Sequence, residues 1–324
     1  MATKLKYTGK IQPDLEDEYP PIRRKIYPYS ADEDLIEAVN LAIDLRMPLL
    51  LEGEPGCGKS RLAHALVYEL NHVNGTLEKP YPIEYGFYSV QSVSKATDSL
   101  YLYDYIGRLQ AAQIGQAMQA SGQNIETKMK DPANPENWVD YRPLGNAFKN
   151  SQQDGIQSVV LIDEIDKADR DFPNDLLQII EDRAFTIQET GVEIKAREDA
   201  SPIIIITSNR EKSLPPAFLR RCLYHYIPFP DEEKLKEILS LRFKDRSKEI
   251  IDTAIDRFLE VRSAQEDEKA EGEKKVSASE LIAWFQSLLR YPEDELLEKL
   301  GADKLPHASV LLKSRDDLDH YSER

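Results

Sequence analysis

Eight consecutive residues have the types and spacing of a phosphate-binding loop. They read Gly53, Glu54, Pro55, Gly56, Cys57, Gly58, Lys59 and Ser60 and match the pattern G-x-x-x-x-G-K-[ST]. Glycines reach backbone angles closed to other residues, so successive N–H groups can turn inward around an anion. We expect Lys59 to reach the β and γ phosphates of a nucleotide, and the Ser60 hydroxyl to take one position on Mg²⁺. The loop, with Arg61 directly after it, is therefore the candidate binding site for ATP or GTP.

A second polar group follows two β-branched runs later in the chain. Residues 159–162 run into Asp163 and Glu164, and residues 203–206 are followed at a short distance by Asn209. Carboxylates just past the C-terminal end of a buried strand lie where α/β sheets bind ligands. We expect Asp163 to hold Mg²⁺, chiefly through water, Glu164 to polarise the water that attacks the γ phosphate, and Asn209 to orient that water. The alternative for the two acids is that they only end a strand and cap the next helix. The alternative for Asn209 is that it only forms a turn.

The segments around these residues predict the elements that position them. Residues 47–51 form a short apolar run before the loop, and leucines recur every four residues from Leu62 to Leu70, which predicts strand, loop and helix in order. A capping box from Ser30 to Glu33 predicts an earlier helix. Uninterrupted β-branched runs are typical of strands buried on both faces of a parallel sheet. The predicted fold is a three-layer α/β sandwich with a parallel central sheet.

The C-terminal third has a helical pattern throughout. Asp231 precedes two glutamates and an apolar stripe, which predicts a capped helix, and two further amphipathic helices follow at about 251–259 and 281–289. This predicts a small all-helical domain. The predicted limits are 1–28 for an extended arm, 29–229 for the α/β domain, 230–300 for the helical domain and 301–324 for a mobile polar tail.

The segment between residues 71 and 158 has a weaker pattern. It contains a candidate strand at 85–90, a helical stretch at about 105–119 and a polar loop at 121–140. Six tyrosines are concentrated in this segment. They are predicted either to pack within the core or to form a contact surface for a partner. These tyrosines are Tyr81, Tyr85, Tyr88, Tyr101, Tyr103 and Tyr105.

Composition limits the function classes. The chain has 324 residues, 41% of them hydrophobic, and a formal net charge of −16, so it can build real cores and lacks an overall basic surface for nucleic acid. The negative net charge is still compatible with a basic channel inside an assembled ring. Its two cysteines, Cys57 and Cys222, form no disulfide framework or metal pair. It contains neither a long apolar span nor a signal-peptide core, so we expect a cytoplasmic protein without a membrane segment.

Four motifs in sequence resemble those of AAA+ ATPases. GEPGCGKS, VVLIDEID, IIIITSN and LPPAFLRRCLYHYIPFP are similar to Walker A, Walker B, sensor 1 and the arginine-finger region of that family. The resemblance covers about residues 30–300 and implies a P-loop NTPase sandwich with a helical lid domain. A period-2 pattern at about 184–200 resembles the pre-sensor-1 hairpin, and with an insert at about 91–142 it favours the helix-2-insert branch. SNREKSLPPAFLRRC and SASELIAW are most similar to MoxR-like ATPases.

The resemblance also implies a site shared between subunits. Arg221 matches the family's finger, with Arg220 either its neighbour or the true one, and a finger acts on the nucleotide of the adjacent subunit. A homo-oligomeric ring, expected to be a hexamer, follows, and a monomer should be nearly inactive. The alternative to a finger is an ordinary pair of arginines at the C-terminal end of a helix, where the helix dipole favours positive charge. The arginine that many members carry at the start of the third lid helix is absent from residues 276–281, where Ser277 and Glu280 form a capping box instead, and Arg290 is only a distant substitute.

The predicted function is that of a ring-forming ATPase that hydrolyses MgATP to ADP and phosphate and remodels or activates a protein partner. The MoxR resemblance implies chaperone-like work, often on a partner with a von Willebrand factor A domain. A nucleic-acid motor or GTP-using subunit of the McrB kind is an alternative that the acidic balance disfavours. A slow nucleotide-dependent switch or scaffold is another, which the presence of Glu164 and Asn209 disfavours.

Overall fold

The structure is a computed structural model that describes residues 5–13, 18–19, 22–73, 83–120, 130–268, 275–315 and 317–318. The strands are β1 (Glu18–Tyr19), β2 (Arg24–Lys25), β3 (Leu49–Gly53), β4 (Ile83–Ser89), β5 (Tyr101–Tyr103), β6 (Val139–Tyr141), β7 (Gln157–Asp163), β8 (Ala184–Thr186), β9 (Glu193–Lys195), β10 (Ile203–Ser208) and β11 (Leu223–Ile227). The α-helices are α1 (Glu33–Leu45), α2 (Lys59–Val73), α3 (Tyr105–Ala120), α4 (Pro143–Asn150), α5 (Asp171–Asp182), α6 (Pro216–Leu219), α7 (Glu232–Arg242), α8 (Lys248–Glu268), α9 (Ala278–Leu288), α10 (Glu293–Gly301) and α11 (Ala308–Leu311).

A central parallel sheet carries the strands in the order β11, β3, β10, β7, β4. β10 and β4 both pair in parallel with β7, and Ile203 to Ile206 lie opposite Val159 to Ile162. Every residue of β10 is buried, as is every residue of β7 except the last. Strands covered on both faces need no polar alternation, which is why the two β-branched runs form them. The predicted α/β sandwich with a helical region after it is confirmed.

Two compact units make up the chain. The first consists mainly of residues 38–50 and 70–224, and the second of residues 7–37, 51–69 and 225–324. The phosphate-binding loop and the helix after it thus belong to the same unit as the C-terminal helices. The domain limits predicted from sequence remain a prediction.

The core of the first unit lies between β7, β10 and the helices α4 and α5. Ile162 and Ile206 pack there with Phe148 of α4 and Leu176 of α5, all of them essentially inaccessible to water. Helix α4 lies against β4 and β7, and its eight residues carry an apolar stripe too short to stand out in the sequence. This core fixes the strand ends that carry the candidate carboxylates.

The predicted insert has its own small core. β5 and β6 pair antiparallel with Tyr101 opposite Tyr141, and α3 lies between them in sequence, which confirms the helix predicted at about 105–119. Tyr103 and Trp138 are buried together, whereas Tyr105 is 63% exposed. Core packing therefore holds for some tyrosines of the group and not for all. The loop predicted at 121–140 is wrong in its last part, which forms a 3₁₀ turn and β6, while residues 121–129 and Tyr81 lie outside the described residues.

The hairpin predicted at about 184–200 is confirmed. β8 and β9 pair antiparallel, with Phe185 opposite Ile194 and both side chains buried. Gly191 has a φ of +71° in the turn, and its N–H donates to the Ile187 carbonyl at 2.8 Å. That left-handed conformation favours glycine.

The core of the second unit is formed by the helices from α7 onward. Asp231 accepts a hydrogen bond from the Lys234 N–H at 2.8 Å, and Ser277 forms a full capping box with Glu280, so both predicted caps are confirmed. Trp284 and Phe285 of α9 are fully buried. Leucines of the segment predicted as a polar tail also pack into this core, namely Leu305, Leu311 and Leu312. The helical unit therefore extends beyond Gly301.

The start of α1 differs from the prediction. The helix begins at Glu33, and the Asp32 carbonyl accepts its first hydrogen bond, from the Ile36 N–H at 2.9 Å. Ser30 therefore lies too early in the chain to act as the cap. Asp32 is itself a favoured cap residue, and the pattern alone could not rank the two.

Within the ranges described above, the chain has no helix that combines the length and apolar character needed to cross a bilayer.

Two helical glycines provide a matched test of packing in the first unit. A Cβ at Gly145 of α4 would lie 1.9 Å from the Leu100 carbonyl oxygen, whereas one at Gly115 of α3 would meet nothing within 4 Å. We expect Gly145→Ala to lower the free energy of unfolding by about 1–3 kcal/mol or more, because backbone must move. Gly115→Ala should raise it by about 0.5–1 kcal/mol. Urea unfolding followed by circular dichroism measures both, and a stable Gly145→Ala protein would contradict the close approach.

Candidate functional site

The phosphate-binding loop joins β3 to α2 with two glycines in left-handed conformations. Gly56 has a φ of +81° and Gly58 a φ of +99°. A Cβ at Gly53 would lie 2.5 Å from the Ile227 carbonyl oxygen, and one at Gly56 would lie 2.6 Å from the Ser277 hydroxyl oxygen. The loop thus needs glycine for its turns and for the close approach of neighbouring atoms.

Lys59 is the first residue of α2 and is 6% exposed. Its ammonium donates hydrogen bonds to the carbonyl oxygens of Gly53 and Glu54, each at 2.9 Å. Ser60 follows in the same helical turn. The loop's own backbone therefore holds the lysine charge beside the N-terminus of α2, where the helix dipole also favours an anion.

A cavity of about 630 Å³ lies against this loop within the second unit. Residues Gly56 to Gly58 and Arg61 form one part of its lining, and the remainder comes from the chain around the start of α1, the end of β11 with the residues after it, α7 and α9. Its volume lies inside the range of small-molecule sites, roughly 300–1,000 Å³. Apolar residues available to a ring system are Ile227, Phe229, Ile238 and Ile282. A glycine cradle, two cations and an apolar pocket of this size fit a nucleotide.

The segment before α1 contributes two tyrosines that the sequence did not identify. A Cβ at Gly58 would touch the Tyr29 ring at 3.3 Å, so this ring lies against the loop. The Tyr27 ring has the Arg242 guanidinium carbon 3.7 Å and the Arg61 guanidinium carbon 5.5 Å from its centroid. Burial lowers the pKa of both arginines. Two arginines thus share the Tyr27 ring close to the phosphate loop.

Asp163 and Thr207 meet at the ends of β7 and β10. The Thr207 hydroxyl donates to Asp163 Oδ1 at 2.7 Å and accepts from the Glu164 backbone N–H at 2.9 Å. One hydroxyl therefore orients the carboxylate proposed for the metal and the backbone of the next residue. Thr207 was missed from sequence because its role depends on the register of the two strands.

Glu164 stands in a left-handed conformation, with φ of +61° and ψ of +52°. Its Oε1 accepts from the Asn209 amide nitrogen at 3.3 Å, and its Oε2 pairs with the Lys167 ammonium. The hydrogen bond to Glu164 raises the pKa of Lys167. A non-glycine residue in this conformation costs about 1–3 kcal/mol and is typical of functional sites. The structure thus brings Asp163, Glu164 and Asn209 together, as the sequence predicts.

Asp166 fixes the loop that carries Asn209. Its Oδ2 accepts from the backbone N–H groups of Asn209 at 3.0 Å and Glu211 at 2.8 Å, and the residue is 1% exposed. Asp166 therefore caps a loop from the neighbouring strand and sets where the Asn209 side chain begins.

Arg220 and Arg221 follow α6 and are both exposed. The Arg221 Nε is paired with Glu181 of α5, and its Nη1 donates to the Ala217 carbonyl oxygen at 3.2 Å. Both arginines line a cavity of about 310 Å³ that also includes Cys222, whose pKa burial raises to about 12. That thiol stays protonated. Arg221 is thus exposed and paired with an acid of its own chain, and its role as a finger stays a prediction.

The start of α9 meets the phosphate loop without an arginine of its own. The Ser279 hydroxyl donates to the Gly56 carbonyl oxygen at 3.0 Å. Arg290, the distant substitute considered from sequence, lies exposed beyond the end of α9.

A family model described as AAA domain (Cdc48 subfamily) matches residues 46–260, about two thirds of the chain. The chain belongs to this AAA domain family. The matched part of the AAA domain contains the phosphate loop, the strand-end carboxylates, Asn209 and both arginines. The MoxR-like subtype is not what the family model names.

No curated protein matches the AAA domain chain. Among solved structures it is similar to a candidate ATPase from Cytophaga hutchinsonii, at 14% identity and a TM-score of 0.40, with 69% of this chain and 57% of that chain covered. It is also similar to a mutant RuvB from Thermotoga maritima, at 16% identity and a TM-score of 0.45, with 90% of this chain and 71% of that chain covered. The chain thus spans little more than half the length of the first protein, and at these scores neither similarity carries an argument.

Thr207 provides a test of the strand-end network. We expect Thr207→Val to lower the free energy of unfolding by about 1–3 kcal/mol, because Asp163 loses a donor and the Glu164 N–H its acceptor. Thr207→Ser keeps the hydroxyl and should stay close to the original stability. Urea unfolding of the three proteins measures the difference, and equal stability of the valine and serine variants would show that the hydroxyl contributes nothing.

Proposed function

We propose that this AAA domain protein hydrolyses MgATP to ADP and phosphate. The observation that carries the proposal is the network of Asp163, Thr207, Glu164 and Asn209 at the ends of two neighbouring strands. Two adjacent carboxylates with different partners suit two roles, one toward a metal and one toward a water molecule. Family membership supports the nucleotide as the ligand.

The phosphate loop and the residues after it supply the binding part of the proposal. Backbone N–H groups of the loop residues other than Pro55, the Lys59 ammonium and Arg61 would hold the phosphate oxygens. The two sequence motifs assign Ser60 and Asp163 to Mg²⁺, which when bound would neutralise phosphate charge and favour attack at the γ phosphate. Mg²⁺ commonly keeps several waters and takes one or two protein ligands plus phosphates, so this small donor set fits it.

Glu164 is the residue that would accept the proton of the attacking water. Asn209 holds one of its oxygens and Lys167 the other, so the carboxylate is oriented before any ligand binds. Asn209 would also orient the water itself, as sequence reasoning predicts. A carboxylate fixed in this way needs little reorganisation during the reaction.

Arg221, with Arg220 beside it, would complete the site of a neighbouring copy. Its position in the finger motif and its exposure support a homo-oligomeric ring, which we propose to be a hexamer. A finger stabilises charge in the transition state and commonly supplies about 10³ to 10⁵ in rate. Arg221 would leave Glu181 to do so, and each subunit would depend on the next.

We further propose that the ring remodels or activates a protein partner in the cytoplasm, in the manner of MoxR-like ATPases. The sequence resemblance supports this, including a partner with a von Willebrand factor A domain. Exposed apolar side chains of α3, with Ile106 at 71% and Leu109 at 60% exposure, support contact with protein. The net charge of −16 speaks against nucleic acid as the partner.

Substitutions at Lys59 and Glu164 should separate binding from hydrolysis. We expect Glu164→Gln to lower the rate of phosphate release by about 10² to 10⁴ while nucleotide binding persists, because only proton acceptance is lost. Lys59→Ala should lose binding as well. The matched control is Glu193→Gln, an exposed acid on β9, which should behave as the unmodified protein. Equal rates for Glu164→Gln and the unmodified protein would sink the proposed role.

Mixing two inactive variants tests the shared site. Arg221→Ala retains Glu164, and Glu164→Gln retains the finger, so an interface that combines the two contains one complete set of groups. We expect each variant to be nearly inactive alone and their mixture to recover part of the phosphate release. A mixture as inactive as its components, with oligomers present by mass photometry, would contradict an arginine supplied by the neighbour.

A further inference from the structure

Arg262 of α8 is a buried cation whose donors are almost fully used. It is 5% exposed, and its Nη1 donates to the Val276 carbonyl oxygen at 2.7 Å. Its Nε lies 3.2 Å from Glu266 Oε1, and its guanidinium carbon lies 3.3 Å from the centroid of the Phe229 ring. A buried charge is stable only when it is paired and hydrogen-bonded. The remaining partner of Arg262 is therefore of interest.

That partner is in the phosphate-binding loop. Arg262 Nη2 donates to Glu54 Oε2 at 2.9 Å, across 208 positions of sequence. The Glu54 carbonyl oxygen is one of the two carbonyl acceptors of Lys59, beside that of Gly53. The residue that helps to hold the lysine is thus itself held, through its side chain, by the helical bundle.

The same arginine also fixes the start of α9. Val276 donates its N–H to the Gln265 side chain at 2.8 Å and its carbonyl accepts from Arg262, so both of its polar backbone groups are engaged by α8. The next residue, Ser277, is the α9 cap, and Ser279 donates to Gly56 of the loop. Arg262 therefore connects α8, the first turn of α9 and the loop.

Charge gives the contact with Glu54 a consequence for anion binding. The Glu54 side chain is 42% exposed and belongs to the loop that would surround phosphates. Without a positive partner, this carboxylate would repel the phosphates of a nucleotide. The repulsion would be stronger than in water, because the loop is partly shielded from solvent. Arg262 offsets that charge and ties the loop to the helices at the same time.

We propose that Arg262 is a positioning residue that couples the C-terminal helical bundle to the phosphate-binding loop by neutralising and holding Glu54. This inference rests on the proposed function, because it assigns the loop a nucleotide. The link between the C-terminal helices and the loop is then supplied by α8, because residues 276–281 at the start of α9 contain no arginine.

A double-mutant cycle on nucleotide binding tests the coupling. The probe is a fluorescent N-methylanthraniloyl derivative of ADP. The full chain is titrated into this probe in the presence of Mg²⁺. We expect Arg262→Gln to raise the Kd about tenfold, a factor within the usual range for coupled sites. Glu54→Gln alone gives the reference Kd for the cycle, and the double variant should bind as tightly as Glu54→Gln does, because Arg262 has no carboxylate left to neutralise.

Hydrogen exchange of the nucleotide-free protein gives a readout that needs no ligand. We expect peptides covering residues 53–58 and 276–285 to exchange faster in Arg262→Gln, and those covering 276–285 to exchange faster in Glu54→Gln. The matched control is Arg257→Gln on the same helix, where the arginine pairs with Glu260 and not with the loop. It should leave both peptides and the Kd unchanged. Thermal unfolding checks that each variant is folded, and Glu54→Gln keeps the test valid if Arg262→Gln is not.

The outcomes separate the coupling from the proposed function. Nucleotide binding by Arg262→Gln as tight as in the unmodified protein would overturn the coupling, and so would a double variant as weak as Arg262→Gln, which would mean that Arg262 acts only by stabilising the helices. Failure of the unmodified protein to bind the ADP derivative would overturn the proposed function instead. Hydrogen exchange would then still decide whether Arg262 holds the loop.

Discussion

Strands β7 and β10 pair through four successive residues, and neither strand turns a face to water. Because side chains alternate across a strand, a slip of one residue would move every side chain to the other face, and Thr207 would no longer lie beside Asp163. That register sets Thr207 beside Asp163, and the hydroxyl then takes the Glu164 N–H as well. The left-handed Glu164 and the pinned loop at Asn209 follow from this pairing. The chemistry of the strand ends thus depends on how two apolar runs pack.

The features that the sequence predicted well are those set by local pattern. Runs of β-branched residues predict the buried strands, and the glycines of the loop that begins at Gly53 predict its turns. Ser277 caps α9 because its partner Glu280 lies three residues later. The hairpin around Gly191 belongs to the same class, since one glycine and period-2 alternation specify it. In each case the interactions that decide the structure lie within a few residues of one another, so a linear pattern contains them.

The features that the sequence did not predict depend on distant pairs or on competing local choices. Arg262 looks like one more charged position on an amphipathic helix, and only the fold brings it to Glu54, 208 residues away. Thr207 gains its role from a neighbouring strand. Ser30 and Asp32 both suit a helix start, and the helix begins directly after the later one. Helix α4 has too few residues for its period to show. A single sequence records the residues that make such contacts but not the contacts themselves.

Gly56 has a consequence for how the chain can vary. Its missing side chain leaves room for the Ser277 hydroxyl, which a Cβ would approach to 2.6 Å, and its positive φ already disfavours any other residue. Position 56 is thus restricted twice, once by its own backbone and once by a residue 221 places later. A bulkier side chain at 277 would press on the loop even if 56 stayed glycine. Among relatives that share this contact, small residues at the two positions should be inherited together, so the first turn of α9 and the phosphate loop form one unit of sequence variation.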